Sequence, residues 1–307
     1  MTETDAAAGV LLGMACGDAL GRPVEFKSDG RIADEHGRVT EMLANGTHRQ
    51  PEGTITDDTQ MALCIARSLA EQGGFDGADV ARRFVEWYES GPFDIGLMTA
   101  DALREIRDGG DWRTAGERVH ERRSEGANAG NGSVMRCAPY ALAFEDAQAL
   151  AEVSRRSSAI THADARCTDG CAVLNLTIRG FLDDEPEPLT SALTHVDDAP
   201  HELREALGSI PEDIDPSELQ TSGYVVTTLQ TALYDALSAP SAREAIVTAV
   251  NRGGDTDTIG AVAGAVAGAR FGASGLPDSW LDTLSVESEL RDLASTLANG
   301  TFVSTVE

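Results

Sequence analysis

Apolar residues recur at helical spacing along almost the whole chain, and this periodicity limits the fold more than any other feature of the sequence. Gly and Pro residues interrupt it at short intervals, as they do where helices end. Convincing strands are scarce, and residues 39–43 are the best short candidate. The pattern predicts an all-α fold of about ten to thirteen helices. The clearest helical segments are 82–88, 153–160, 171–182, 225–237 and 245–250.

One domain accounts for the whole length of 307 residues. A chain of this length, with 41% apolar residues, can form one large domain or two modest ones. The sequence contains no Pro- or Ser-rich linker, low-complexity tract or tandem repeat that would divide it. We therefore expect a single compact domain over residues 1–307, with the acidic stretches 183–188 and 211–216 as surface loops.

The charge balance is strongly acidic. Asp and Glu number 51 against 24 basic residues, of which Lys27 is the one lysine, and the formal net charge is -27. Such a chain lacks the basic patch that binds nucleic acids or anionic membranes, so we expect neither as a partner. The composition favours solubility in high salt, where counterions screen self-repulsion, and it predicts a halophilic host.

The amino-terminal residues do not resemble a signal peptide, because Glu3 and Asp5 stand where a basic region is needed. The longest apolar run, residues 259–269, is too short to span a bilayer. These features predict a cytoplasmic protein. A monomer is the default expectation for its oligomeric state.

A helix with a glycine face is predicted from Gly260, Gly264 and Gly268, which recur every fourth residue. This spacing places all three on one side, where another backbone can approach closely. Each glycine inside a helix costs roughly 1 kcal/mol relative to alanine, so we expect tight packing to offset that cost.

Two acidic clusters are the strongest candidates for chemistry. Residues 56–59 (Thr-Asp-Asp-Thr) precede one apolar segment, and residues 255–258 (Asp-Thr-Asp-Thr) precede the glycine-faced helix. Helix capping explains one acidic residue in each cluster. Two carboxylates beside a hydroxyl, found twice, exceed what capping requires.

Oxygen ligands of this kind select Mg²⁺, Mn²⁺ or Ca²⁺ over zinc or copper. An EF-hand starting at Asp255 fails, because its fifth and twelfth positions would be Ile259 and Val266. If both clusters converge with Glu25, five carboxylates share one site, and two divalent cations would nearly balance their charge.

Two glycine-rich turns, residues 130–136 and 252–254, are candidates for binding phosphate through backbone amides. A loop that starts a helix is the plainer interpretation of both. For His162 a structural role is likewise the default. The neighbouring Cys167 and Cys171 lack the further ligand of a zinc site, so we expect them to pack in the core.

Together these segments resemble the ADP-ribosylglycohydrolase family, close to the dinitrogenase-reductase-activating type. They occur in the family's order over roughly residues 8–272. The matching segments are 17–21 (Gly-Asp-Ala-Leu-Gly), 23–26 (Pro-Val-Glu-Phe), 56–59, 91–96 (Gly-Pro-Phe-Asp-Ile-Gly), 130–136, 161–162, 222–226 and 251–258. The paired aspartate motifs, taken with residues 17–21, are the most specific part of the resemblance.

The resemblance implies an all-α domain with a binuclear Mg²⁺ or Mn²⁺ centre. The residues at the matching ligand positions are Thr56, Asp57, Asp58, Asp255, Asp257 and Thr258. The first three would hold one cation and the last three the other, with Asp257 bridging. Glu25 resembles a glutamate that reaches the metals from a mobile loop.

The resemblance also implies an ADP-ribose pocket. Its lining at matching positions would be Gly130, Asn131, Gly132, Ser133, His162, Gly253 and Gly254. Tyr224 would pack on the nucleotide, and Asp94 would meet the guanidinium of an ADP-ribosylated arginine. The catalytic roles are assigned to Glu25, Asp94 and Asp257.

The implied reaction is hydrolysis of the bond between ADP-ribose and its acceptor, on a protein or in a small conjugate. The cations would bind the ribose hydroxyls, and an activated water, or ring opening assisted by a carboxylate, would release ADP-ribose. Asp94 favours arginine as the acceptor, with serine and the O-acetyl ester as alternatives. Another nucleotide or phosphoester substrate, or a non-catalytic, crystallin-like role in binding ADP-ribose, also stays open.

Overall fold

Caps and glycine or proline breakers divide the chain into sixteen α-helices in the computed structural model, which describes residues 2–124 and 126–302. In chain order they are α1 Glu3–Gly21, α2 Asp29–His36, α3 Asp57–Gln72, α4 Gly77–Glu89, α5 Leu97–Arg107, α6 Trp112–Arg122, α7 Pro139–Ala143, α8 Ala147–Ala159, α9 Ala165–Leu182, α10 Pro188–His195, α11 His201–Gly208, α12 Val225–Ser238, α13 Ala242–Asn251, α14 Thr256–Phe271, α15 Asp278–Thr283 and α16 Glu287–Asn299. Short 3-10 turns lie at Arg22–Val24, Val134–Arg136, Pro216–Glu218 and Ala273–Gly275.

The all-α single-domain prediction is confirmed, but the expected number of helices was too low. Five of the helices have eight residues or fewer (α2, α7, α10, α11 and α15). Segments this short complete about two turns, so apolar periodicity does not reveal them in a sequence. Within the described part of the chain, no helix is both long and apolar enough to cross a bilayer.

The strand expected at residues 39–43 is wrong. This segment runs without regular structure between α2 and α3. A side chain replaces the neighbouring strand: the Val39 N–H donates to Asn251 Oδ1 (2.8 Å), and Asn251 Nδ2 donates to the Val39 carbonyl (2.8 Å). Because the Asn251 amide satisfies both backbone groups, the segment needs no strand partner.

The close packing predicted for the glycine-faced helix is confirmed, and its partner is α1. The facing pairs, in antiparallel order, are Gly9–Gly268, Gly13–Gly264 and Gly17–Gly260. A Cβ added to Gly264 would lie 2.0 Å from the Gly13 carbonyl oxygen, and one added to Gly13 would lie 2.2 Å from the Gly264 oxygen. No side chain fits between two backbones this close, so the interface requires glycine on both helices.

The antiparallel pairing of α1 and α14 positions the candidate site. The end of α1 lies beside the start of α14, where Thr256 Oγ1 donates to the Gly21 carbonyl (2.8 Å). Glu25 follows the short 3-10 turn after α1, and the second acidic cluster forms the start of α14. The pairing therefore brings residues from the two ends of the chain to one place.

Arg22, fully buried just after α1, holds the loop that faces this place. Its guanidinium donates to the backbone carbonyls of Leu43, Asn45, Pro51 and Thr54. These four bonds satisfy the buried cation and fix the loop that carries His48.

Candidate active site

The first acidic cluster begins α3, and a carboxylate from α1 fixes its position. Thr56 caps the helix. Buried Asp18 accepts hydrogen bonds from the Thr56 N–H (3.0 Å), the Thr59 N–H (3.2 Å) and Thr59 Oγ1 (2.5 Å). Burial raises the pKa of Asp18 to about 6, although these hydrogen bonds favour its charged form.

The two acidic clusters meet. Thr258 Oγ1 donates to Asp58 Oδ2 (3.4 Å), which joins the start of α14 to the start of α3. Carboxylate oxygens of Glu25, Asp255 and Asp257 all lie within 4.8 Å of one another. The structure therefore brings together all the residues that the sequence nominated as metal ligands. Their role as ligands stays a prediction.

Burial and mutual repulsion disfavour the charged forms of these carboxylates. Burial, followed by the charges of Asp94, Asp255 and Asp57, raises the pKa of Glu25 to about 9. Burial, together with the neighbouring carboxylates, also raises the pKa of Asp57, Asp58 and Asp257 well above the ordinary value. Four acidic groups in one buried place are thus costly to ionise together unless a positive charge joins them.

Protein side chains supply only part of that charge, from buried Arg22, which interacts electrostatically with Asp257 and Glu25. Among the described residues, no Lys or Arg nitrogen lies within ion-pair distance of Asp57, Asp58, Asp255 or Asp257. The nearby Arg22 directs its donors to backbone carbonyls instead. Asp58 Oδ1 is buried and has no hydrogen-bond partner. An uncompensated group of hard oxygen donors with one orphaned atom fits divalent cations such as Mg²⁺ or Mn²⁺.

A histidine joins Glu25 to Asp94. His48 Nε2 lies 2.5 Å from Glu25 Oε2 and 3.5 Å from Asp94 Oδ2. The His48 ring also contacts Phe93, with 5.4 Å between ring centroids. Burial raises the pKa of Asp94, whereas His48 lowers it. Glu25 and Asp94, two of the residues assigned catalytic roles, therefore both lie next to His48.

A cavity of about 570 Å³ adjoins the carboxylates. Of the predicted pocket residues, those that line it are Gly130, Asn131, Gly132, His162 and Tyr224. Asn131 Nδ2 donates to Asp255 Oδ2 (2.7 Å) and to Thr228 Oγ1 (3.0 Å), which connects the glycine-rich turn to the second acidic cluster. A Cβ added to Gly132 would lie 2.9 Å from His162 Cε1, so this turn passes close to the ring.

Burial holds His162 in its neutral form at the cavity. Burial, with Arg136 and Arg123 nearby, lowers its pKa to about 3. Arg136 Nη2 donates to Thr161 Oγ1 (2.7 Å), and that hydroxyl lies 2.7 Å from His162 Nδ1. The Thr161 hydroxyl therefore fixes the orientation of the ring, and Nε2 faces Gly130.

Three predicted pocket residues lie outside the cavity wall. Buried Ser133 accepts a hydrogen bond from Ser158 Oγ (2.9 Å). Gly253 and Gly254 have φ values of +79° and +77°, in the left-handed region that glycine adopts readily. Gly254 exchanges backbone hydrogen bonds with Lys27 and Phe26 (2.8 Å each), so this turn holds the segment beside Glu25. Contact of the three with a ligand stays a prediction.

The sequence assigned no individual role to Asp18, His48, Thr99 or Arg123. Asp18 gave a signal, because an aspartate inside the apolar α1 must be buried with partners. The other three gave none: His48 lies in an irregular loop, and Thr99 and Arg123 line the cavity from α5 and from the residue that follows α6. Thr99 Oγ1 and Arg123 Nε are buried without a hydrogen-bond partner.

Comparisons with known proteins identify the family of this chain. The sequence model of the ADP-ribosylglycohydrolase family matches residues 1–305. An ADP-ribosyl-(dinitrogen reductase) glycohydrolase from Rhodospirillum rubrum is 35% identical over 290 residues, covering 94% of this chain and 93% of that protein. The ADP-ribosylarginine hydrolase Tri1 of Pseudomonas putida is 34% identical, covering 95% of this chain and 78% of that protein.

A solved structure, named an ADP-ribosylglycohydrolase-related protein complex, superposes with a TM-score of 0.83 at 35% identity. The match covers 98% of this chain and 99% of that one. This chain belongs to the ADP-ribosylglycohydrolase family, and it is an enzyme of that type, a hydrolase of ADP-ribose conjugates. The family and the enzyme class predicted from sequence are thereby confirmed.

Proposed function

We propose that this chain hydrolyses the bond between ADP-ribose and an arginine side chain, and that the reaction requires two divalent cations, Mg²⁺ or Mn²⁺. The observation that carries the proposal is the uncompensated carboxylate cluster at one end of the cavity, next to Asp94. Relatives named for ADP-ribosylarginine hydrolysis support the choice of arginine. Relatives named ADP-ribosylhydrolase ARH3, from Gallus gallus and Homo sapiens, are more distant at 25% identity.

The two aspartate motifs would hold the cations. Thr56, Asp57 and Asp58 would bind one, and Asp255, Asp257 and Thr258 the other. When bound, the cations would polarise ribose oxygens and lower the pKa of a water molecule near the anomeric carbon. Asp18 supports this arrangement by fixing the start of α3, and Asn131 holds Asp255 through its amide.

Glu25 and Asp94 would act at the acceptor end. A guanidinium is planar and always charged, so it favours a carboxylate that can accept two parallel hydrogen bonds. Asp94 is partly exposed, with a side chain 19% accessible, and lines the cavity. Glu25, which reaches Asp255 and Asp257, is the group placed to move a proton during departure of the acceptor.

The other end of the cavity would bind the ADP portion. The turn at Gly130 and Gly132 would offer backbone groups to the ligand, and His162 Nε2 would offer a neutral hydrogen-bonding atom. Tyr224, with Arg166 5.5 Å from its ring centroid, presents an aromatic surface for the adenine. The cavity volume of about 570 Å³ suits a small-molecule site.

An assay of ADP-ribose release tests the proposal. ADP-ribosyl-arginine, ADP-ribosyl-serine and O-acetyl-ADP-ribose would be compared in high KCl, with EDTA, MgCl₂ or MnCl₂. We expect release from the arginine conjugate that EDTA abolishes and either cation restores. In the Asp94→Asn variant, arginine activity should fall more than activity on the acetyl ester. Full activity in EDTA, or a preference for serine or the ester in the unaltered protein, would contradict the proposal.

A further inference from the structure

Large apolar side chains are exposed at one place on this acidic protein. Among the described residues, those that stand out are Leu97 (77% exposed), Phe26 (71%) and Phe93 (37%). A surface with a net charge of -27 has little reason to expose such groups. Clustered apolar groups at a surface typically mark an interaction site.

These three residues border the mouth of the cavity at its acceptor end. Phe26 and Leu97 line the cavity, and Phe93 directly precedes Asp94. The ring centroids of Phe26 and Phe93 lie 6.4 Å and 5.4 Å from that of His48, so the two rings flank the histidine that contacts Glu25 and Asp94. We call Phe26, Phe93 and Leu97 the apolar rim.

The backbone at Phe26 is strained to present its ring there. Its φ is +64°, a conformation that is a genuine outlier for a bulky side chain. The Phe26 N–H donates to the Gly254 carbonyl (2.8 Å), which fixes this conformation. Strain that serves to expose a hydrophobic ring does not stabilise the fold, and such strain is found mainly at functional sites.

We infer that the apolar rim docks the polypeptide that carries the modified side chain, through apolar residues near the ADP-ribosylated position. This inference rests on the proposed function, because it assigns the rim to the acceptor side of the same cavity. The continuity of the rim with Asp94 argues for a substrate chain over a second copy of this protein. A free ADP-ribosyl-arginine molecule would reach Asp94 without covering the rim, whereas a protein substrate would cover it.

The test compares two substrates that differ only in the attached chain. Values of kcat/KM would be measured for free ADP-ribosyl-arginine and for a protein that carries one ADP-ribosyl-arginine. In the Leu97→Ser variant, we expect kcat/KM for the protein substrate to fall about tenfold, mostly through KM. For the free conjugate we expect a change of less than about threefold, because the Leu97 side chain is 77% exposed. Leu97→Met is the matched control, and it should retain most of the protein activity.

Equal losses on both substrates, or no loss on either, would overturn the inference. So would light scattering that shows a dimer of the unaltered protein which the Leu97→Ser variant cannot form, because the rim would then be a contact between copies. If the unaltered protein cleaved neither substrate, the proposed function itself would fail and take the inference with it. Cleavage of both, with an unchanged ratio in the variants, would contradict the docking surface alone.

Discussion

The interface between α1 and α14 lies next to the carboxylate cluster, but the two regions differ in how well their groups are packed and paired. In the interface, backbones lie so close that a Cβ at Gly264 would be 2.0 Å from the Gly13 oxygen. In the cluster, Asp58 Oδ1 has no hydrogen-bond partner, and Glu25 has a pKa of about 9 because it is buried among other acids. The first region is fully packed, whereas in the second the buried carboxylates of Asp57, Asp58 and Asp257 have no ion-pair partner among the described residues.

This difference shows where stability and function are located. Close packing of two glycine faces gains dispersion contacts and has no charge to bury. The cluster costs free energy, because like charges are held together out of water. Substitutions in the interface should therefore affect folding, and substitutions in the cluster should affect activity.

The largest expected effect is that of Gly264→Val. The added side chain would collide with the α1 backbone, which cannot move without separating the two helices. We expect a loss of about 4 kcal/mol in the free energy of unfolding, or failure to fold, as measured by urea denaturation. The matched control is Gly30→Ala in α2, where an added Cβ meets nothing within 4 Å. A Gly264→Val protein as stable as that control would refute the role of the interface.

The next largest effects are expected from substitutions at two buried aspartates that have different partners. Asp257 lies among carboxylates, whereas Asp235 forms an ion pair with Arg252 (2.6 Å). We expect Asp257→Asn to lower kcat/KM about 1000-fold without lowering the stability of the metal-free protein. Asp235→Asn should cost about 2–3 kcal/mol in stability, because it leaves Arg252 without its charged partner. Thermal unfolding and the release assay, run on both variants, test this difference. A stability loss in Asp257→Asn with activity retained would contradict it.

We expect pH to have a smaller effect, on the stability of the metal-free protein. The pKa of Glu25 is about 9, above its value in an unfolded chain, and Asp57, Asp58 and Asp257 are shifted in the same direction. Between about pH 5 and 9 the folded chain therefore binds more protons than the unfolded one, so its stability falls as pH rises. With EDTA present, Tm should decrease from pH 6 to pH 9, and MgCl₂ should raise Tm more at the higher pH.

The Glu25→Gln variant is the control for that measurement. It removes the group whose pKa is shifted to about 9, so its Tm in EDTA should depend less on pH. An identical slope in the variant and the unaltered protein would show that Glu25 does not control the pH dependence.

The salt concentration should cause the smallest change in stability. With 51 acidic against 24 basic residues, self-repulsion destabilises the folded chain at low ionic strength. We expect Tm to rise steadily between 0.1 M and 2 M KCl, since the screening length falls from about 10 Å at 0.1 M to about 3 Å at 1 M. The Asp257→Asn variant should follow the same curve, because buried groups are screened far less. A flat curve would argue against the halophilic interpretation of the composition.

In both regions the sequence predicted the local feature but not the part of the chain that it meets. The glycine spacing at 260, 264 and 268 predicted a close backbone contact, because three glycines on one face destabilise a helix unless another backbone packs against them. It did not identify α1 as the partner, since many helices in the chain contain small residues. Likewise, the aspartate motifs were recognisable, but their convergence depends on an antiparallel pairing that spacing alone does not encode.

Residues without a local pattern were the ones missed. His48 lies in a loop whose course is set by four hydrogen bonds from buried Arg22, which are contacts that only the folded chain makes. The predicted strand at 39–43 failed for a similar reason, because the Asn251 side chain from α13 replaces a strand partner. Long-range side-chain contacts, rather than local propensity, decided both.

The most direct test of the proposed metal centre is a structure from crystals grown with saturating MnCl₂, with diffraction measured at the manganese absorption edge. We predict two anomalous peaks among Asp57, Asp58, Asp255 and Asp257, and loss of at least one peak in Asp257→Asn. A map without manganese at these carboxylates, in crystals of a protein that is active with MnCl₂, would contradict the claim that the two motifs form a metal centre.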